Sequence, residues 1–139
     1  YVVNVGENNR ETAIIYRYGI KIEKYEYHPN GRIIAIQADG ILLINIYLHS
    51  GTNNKQEREK FISTELPFFL RHNYNKLIIG GDWNCVLNAK DQTGIYNPSP
   101  ALENMRKELQ LADTWELLHG NKVTYTFTRG SSASRLDRF

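Results

Sequence analysis

At 139 residues, with 41% hydrophobic and 12% aromatic content, the chain is long enough for one domain with a real core, and most of it is excluded from disorder. Seventeen basic against fifteen acidic residues leave a net charge of +2, which permits a polyanionic partner without arguing for one. A single cysteine, Cys85, excludes an intrachain disulfide and a C-x-x-C zinc site and fits a reducing compartment, and no apolar run approaches the ~20 residues of a membrane span.

The expected elements begin with strands. Residues 12–18 (TAIIYRY) and 20–28 are rich in β-branched and aromatic side chains, and His28-Pro29-Asn30-Gly31 supplies a turn. Residues 32–38 (RIIAIQA) and 41–47 (ILLINIY) flank Asp39-Gly40, the strongest hairpin signal in the chain. Asn53 or Asn54 can cap a helix starting near Lys55, with Ile62, Leu66, Phe69 and Leu70 on its buried face; Pro67 predicts a kink or restart. Residues 76–80 (KLIIG) read as a short, buried central strand.

Ser99-Pro100 opens another helix, with serine as the cap and proline at the first helical position. Leu102, Met105, Leu109 and Ala112 form its apolar stripe. Residues 123–128 (VTYTFT) and 135–139 (RLDRF) read as closing strands around a polar loop, 129–134 (RGSSAS). Strands and helices mix without regular βαβ alternation, so an α+β or layered sandwich is expected over a doubly wound sheet.

The run Gly80-Gly81-Asp82-Trp83-Asn84 falls at the end of the 76–80 strand, where loops carry chemistry. Asp82 and Asn84, two apart in extended backbone, would point to one side and offer a carboxylate, able to accept a proton or hold a metal, beside a phosphate-donating amide. The plainer alternative, of equal weight, is a turn in which both bond their own backbone. Trp83 reads as a packing residue. Tyr47, at a strand end, could donate to an oxyanion but is by itself more simply a half-buried strand tyrosine. Asp137, flanked by Arg135 and Arg138, reads by default as a surface salt bridge.

In order, the chain carries Gly31-Arg32-Ile33-Ile34, Asn45-x-Tyr47, Gly81-Asp82-x-Asn84, Leu111-Ala112-Asp113-Thr114-Trp115, Tyr125-Thr126-Phe127-Thr128 and Arg135-Leu136-Asp137. This series resembles the endonuclease/exonuclease/phosphatase superfamily, with its deoxyribonuclease I-like fold. Within it, YTFTRGSSASRLDR is most similar to the endonuclease domain of non-LTR (LINE-like) retrotransposons.

The resemblance implies a four-layered α/β/β/α sandwich, incomplete at both ends, with residues 1–139 forming a partial domain. It also implies a phosphodiester hydrolase using Mg2+ or Mn2+, with Asp82 orienting or deprotonating the attacking water and Asn84 and Tyr47 holding the phosphate. Asp137 would orient a catalytic histidine, and Thr126, Arg129 and Arg135 would lie toward DNA. The metal-binding glutamate is expected upstream of Tyr1 and the Ser-Asp-His motif beyond Phe139, so no metal ligand is assigned within the chain. Glu7, Glu11 and Glu23, and the histidines at 28, 49, 72 and 119, lack the context to replace them.

By the same resemblance the parent is the target-nicking module of a retrotransposon, acting on DNA with a reverse transcriptase domain in one polypeptide, intracellular and nuclear, with no membrane partner. This piece is expected to be inactive by itself. Two alternatives remain: a phosphatase of the same superfamily, and a noncatalytic remnant that binds nucleic acid or a protein.

Overall fold

The computed structural model describes residues 2–5 and 11–139, with side chains from residue 11 onward. It divides into two compact units interleaved along the chain, 1–47 with 66–81 and 48–65 with 82–139. Among the described residues no helix is long and apolar enough to cross a membrane.

The first unit is built on strands. β1 (Val2–Val5) and β2 (Glu11–Ile14) pair antiparallel. β3 (Lys24–Tyr27), β4 (Ile33–Ala38), β5 (Ile41–Tyr47) and β6 (Lys76–Asp82) are neighbours in that order. The two N-terminal strands are shorter than their composition predicts, since 15–18 and 20–23 lie outside any strand and leave Ile15 and Tyr18 exposed. β4 and β5 form the expected hairpin, with Ala38 opposite Ile41. Asp39 and Gly40 both take positive φ, 51° and 72°, the geometry a tight two-residue hairpin demands. Ile33, Ile34, Ile36, Leu42, Ile44 and Ile46 are the heart of this unit's core. β6 departs from expectation twice: it runs on through Asp82, and Ile78 is 43% exposed, so it is not a fully buried strand.

The expected helix from residue 55 is real but short. α1 (Lys55–Lys60) gives way to a wider π-type turn over Phe61–Glu65 and then a tight 3-10 stretch over Leu66–Leu70. The geometry therefore changes before Pro67 rather than at it. Asn54 stands at the cap position, yet its side chain donates to the Ser50 carbonyl instead of capping.

In the second unit, α2 (Pro100–Glu108) opens as expected, the Ser99 hydroxyl accepting the Leu102 N–H at 3.2 Å. Leu102 and Met105 are buried, but the helix stops before Leu109 and Ala112, which are half-buried and exposed. α3 (Thr114–His119) is a helix in a stretch to which the sequence reading assigns no element. Its signal is in the sequence: Asp113 accepts from the Trp115 and Glu116 N–H groups, and Asp113-x-x-Glu116 is a helix-opening pattern. The polar stretch after it is not a loop but a hairpin, β7 (Phe127–Arg129) with β8 (Ser132–Ser134), turning at Gly130 with φ 58°. β9 (Asp137–Arg138) closes the chain.

Candidate active site

The glycine that precedes Asp82 is there for space. Gly81 has φ +133°, and a Cβ at this position would lie 2.0 Å from the Ile46 carbonyl oxygen and 2.8 Å from Asn45 Oδ1. Only a residue without a side chain lets β6 run this close to β5.

Asp82 then ends β6, and the chain turns. Asn84 takes a left-handed φ of 49°, so the pair is not extended and the same-side argument from alternation fails. A tight turn replaces it: Asp82 Oδ1 accepts the Asn84 backbone N–H at 2.9 Å, while Asn84 Nδ2 donates to the Leu48 carbonyl at 2.9 Å. The Leu48 N–H in turn donates to the Asp82 carbonyl, also at 2.9 Å. The self-bonding turn of the plainer reading is therefore present, and Asp82 sits half-buried in it.

Trp83 is 3% exposed and does more than fill space. Its backbone N–H donates to the Leu136 carbonyl at 2.9 Å and its indole N–H to the Arg138 carbonyl at 3.4 Å. The two bonds bracket Asp137. From the other side the Thr126 hydroxyl accepts both the Leu136 and Asp137 N–H groups, at 3.0 and 3.1 Å.

Asp137 does not make the expected surface salt bridge: among the described residues it has no ion pair, and both flanking arginines turn inward. Arg135 is 2% exposed; its Nε donates to Asp91 Oδ1 at 2.9 Å, and Nη1 and Nη2 reach both oxygens of Asp113 at 3.0 and 2.9 Å. Arg138 is also buried and donates to the Cys85 and Arg135 carbonyls. Arg135 is therefore not a DNA contact, because its guanidinium is consumed by two buried carboxylates. Arg129 and Thr126 are exposed.

Electrostatics separate the two kinds of aspartate. Burial pushes the Asp82 carboxyl above its ordinary value, the charge of Asp137 adds to the push, and the Asn84 N–H and the charge of Arg58 oppose it. Asp113 lies the other way: burial would raise it, but the hydrogen bonds and charge of Arg135 hold it below the ordinary carboxylate range. One carboxylate is set up to take a proton and the other to stay ionised.

Tyr47 belongs to the first unit, half-buried at the end of β5. Its N–H donates to the Arg32 carbonyl at 2.9 Å, its carbonyl accepts from Arg32 Nη1 at 3.0 Å, and the buried guanidinium lies 5.8 Å from the phenol ring centroid.

Of the glutamates, Glu7 lies outside the described residues, Glu11 is exposed, and Glu23 accepts the Asp39 N–H. Among the histidines, His72 sits between Lys24 and Glu26, and His49 packs edge-on against Phe61. Among the described residues no three His, Cys, Asp or Glu side chains are grouped to hold a metal ion. A magnesium-like cation takes oxygen ligands and keeps several waters, so one or two carboxylates such as Asp82 and Asp137 would supply only part of its shell, with water and phosphate supplying the rest.

No protein-family model matches the sequence, and no curated protein matches it. Solved structures do match, and they define the class: a mixed α+β chain with the deoxyribonuclease I-like fold. The particular structures include the 3′ phosphatase NExo from Neisseria bound to product DNA hairpin, at 19% identity and a TM-score of 0.62, covering 86% of this chain and 58% of that one. An AP endonuclease from Archaeoglobus fulgidus matches at 18% identity and a TM-score of 0.63, with the same two coverages. A truncated TDP2 from Caenorhabditis elegans matches at 18% and 0.54, covering 87% of this chain and 52% of its own. At such identities the likeness is one of fold. The chain spans little more than half the length of these structures.

Proposed function

We propose that this chain carries part of the active site of a metal-dependent phosphodiester hydrolase acting on DNA. The observation that carries the reading is the strand-end arrangement: Asp82, with a raised carboxyl, is held in a turn with Asn84, and Trp83 ties that turn to the carbonyls on either side of Asp137. Asp82 accepts the proton of the attacking water, and burial suits it to the task by favouring its protonated form. Asn84 donates to a phosphate oxygen, and Asp137 orients the histidine that completes the base. A divalent ion, magnesium or manganese, supplies charge neutralisation at the phosphate when bound. Arg129 and Thr126 lie on the DNA side. The matched structures, a 3′ phosphatase bound to a DNA hairpin and an AP endonuclease, support DNA as the substrate.

The finer reading is the target-nicking module of a non-LTR retrotransposon, joined to a reverse transcriptase and working in the nucleus. It is supported by the run YTFTRGSSASRLDR alone. A supercoiled plasmid incubated with magnesium tests the function. Protein expressed with its flanking sequence should nick it, and Asp82→Asn should abolish nicking. Residues 1–139 alone should leave the plasmid closed. No cutting by the flanked protein, or equal cutting by the Asp82→Asn variant, would refute the reading.

A further inference from the structure

Residues 48–51, between β5 and a 3-10 turn over Thr52–Asn54 that leads into α1, lie in no helix or strand, yet each of their four carbonyls accepts a hydrogen bond. Leu48 takes Asn84 Nδ2 at 2.9 Å, His49 takes Arg58 Nη1 at 2.7 Å, and Ser50 takes Asn54 Nδ2 at 2.7 Å. Gly51 takes Arg58 Nη1 at 3.2 Å and the Asn54 N–H at 3.3 Å.

Arg58 is the centre of this set. It is 5% exposed, lies within α1, and has no carboxylate partner among the described residues. A buried cation without a counter-ion is costly unless its environment offsets the charge. Here the offset is a pair of backbone carbonyl dipoles together with the charge of Asp82.

We propose that Arg58 is a positioning residue for the strand-end site. It clamps the His49 and Gly51 carbonyls to α1 and so holds the Leu48 carbonyl where it orients the Asn84 amide. One amide hydrogen of Asn84 is then committed to Leu48 and the other is aimed by it. Because the Leu48 N–H also bonds the Asp82 carbonyl, the same loop fixes both members of the pair. The charge of Arg58 also reaches Asp82, where it opposes the burial that raises the carboxyl. His49 reinforces the clamp, its ring packed edge-on to Phe61 at 5.6 Å and its Nε2 3.8 Å from Glu57.

The catalytic meaning of this inference rests on the phosphodiesterase reading, but its test does not. In the labelled 139-residue chain, Asn84 should show two well-separated side-chain amide protons and a coupling across the hydrogen bond to the Leu48 carbonyl carbon. Arg58→Met should collapse that separation and speed exchange of the Leu48 amide by about tenfold or more, while the Arg135 amide, bonded to Asp91, keeps its protection. Arg58→Lys should fall between the two, since an ammonium keeps the charge but not the fork. Unchanged Asn84 and Leu48 signals in a folded variant would overturn the proposal.

If either variant loses its fold, the unmutated chain decides. Couplings from Arg58 Nη1 to the His49 and Gly51 carbonyl carbons support the clamp, and their absence refutes it. Failure of the flanked protein to cut DNA would remove the functional reading and leave these signals intact. Unmoved signals would remove the clamp and leave the reading.

Discussion

At the scale of single residues, the aspartates divide by what their surroundings do to the ionised form. Asp82 is half-buried and near the charge of Asp137, so its folded value is raised. An acid whose value is raised on folding favours the folded state when protonated and costs stability above that value. Asp82→Asn keeps the oxygen that accepts the Asn84 N–H and removes the charge, so it is expected to raise the thermal midpoint at pH 7 while abolishing nicking; calorimetry beside the plasmid assay checks both halves. Asp113 has the opposite sign. Its value is lowered below 3.8, so its stabilisation is fully present above that pH and is lost as pH falls through the folded value. A denaturant midpoint that declines below that pH, and that declines less steeply in Asp113→Asn, is the expected record.

The two arginines of the C-terminal motif region show why one sequence misleads at this scale. Arg129 and Arg135 look alike in a polar, serine-rich context, but Arg135 is sealed against Asp91 and Asp113, 44 and 22 residues earlier. Nothing local announces such partners. Arg135→Met removes the cation of Asp113 and leaves Asp91 only Arg138, at 3.8 Å, and is expected to cost about 3–5 kcal/mol in urea unfolding. Arg129→Ala should leave the urea midpoint in place, weaken DNA binding and lower its salt slope by about 1.

At the scale of elements, turn chemistry was the most legible feature. Asp39-Gly40 and Ser99-Pro100 were readable because each turn or cap demands particular residues at particular dihedrals. The 129–134 stretch hid a hairpin, because serine and alanine give little strand signal and the pairing comes from register with β7. The 55–70 region read as helix with a kink or restart at Pro67, because apolar spacing cannot distinguish α from its wider and tighter variants. Gly81 belongs here too: the sequence raised the double glycine, and the backbone of β5 explains its second member. Gly81→Ala must both adopt a strained φ and displace β5, so destabilisation of about 3 kcal/mol or more is expected from the urea midpoint.

At the scale of the whole molecule, the chain passes three times between its two units, at residues 47–48, 65–66 and 81–82. Asp82, Asn84, Asp137 and Thr126 fall in the second unit, and Tyr47 in the first. The order of motifs along the sequence was enough to suggest the fold. It was not enough to find Arg58, which sits in KQEREK and has the look of any solvated helix charge. Its importance comes from carbonyls seven and nine residues earlier, and a run of unremarkable loop residues carries no mark of needing donors.

That loop has a further consequence for how the chain meets a protease. Cleavage requires some residues of backbone to open into an extended form with free carbonyls, and exposure alone does not provide them. Ser50 and Gly51 are on the surface, but every carbonyl from 48 to 51 is already bound. Residues 15–23 are as exposed and, among the described residues, have far fewer such ties. Limited trypsin digestion should therefore cut after Arg17 or Lys21 well before Lys55 or Arg58, as mass spectrometry of the first fragments would reveal. Early cleavage at Lys55 would mean that the loop opens readily, while its survival would make the link into α1 one of the last parts of the chain to yield.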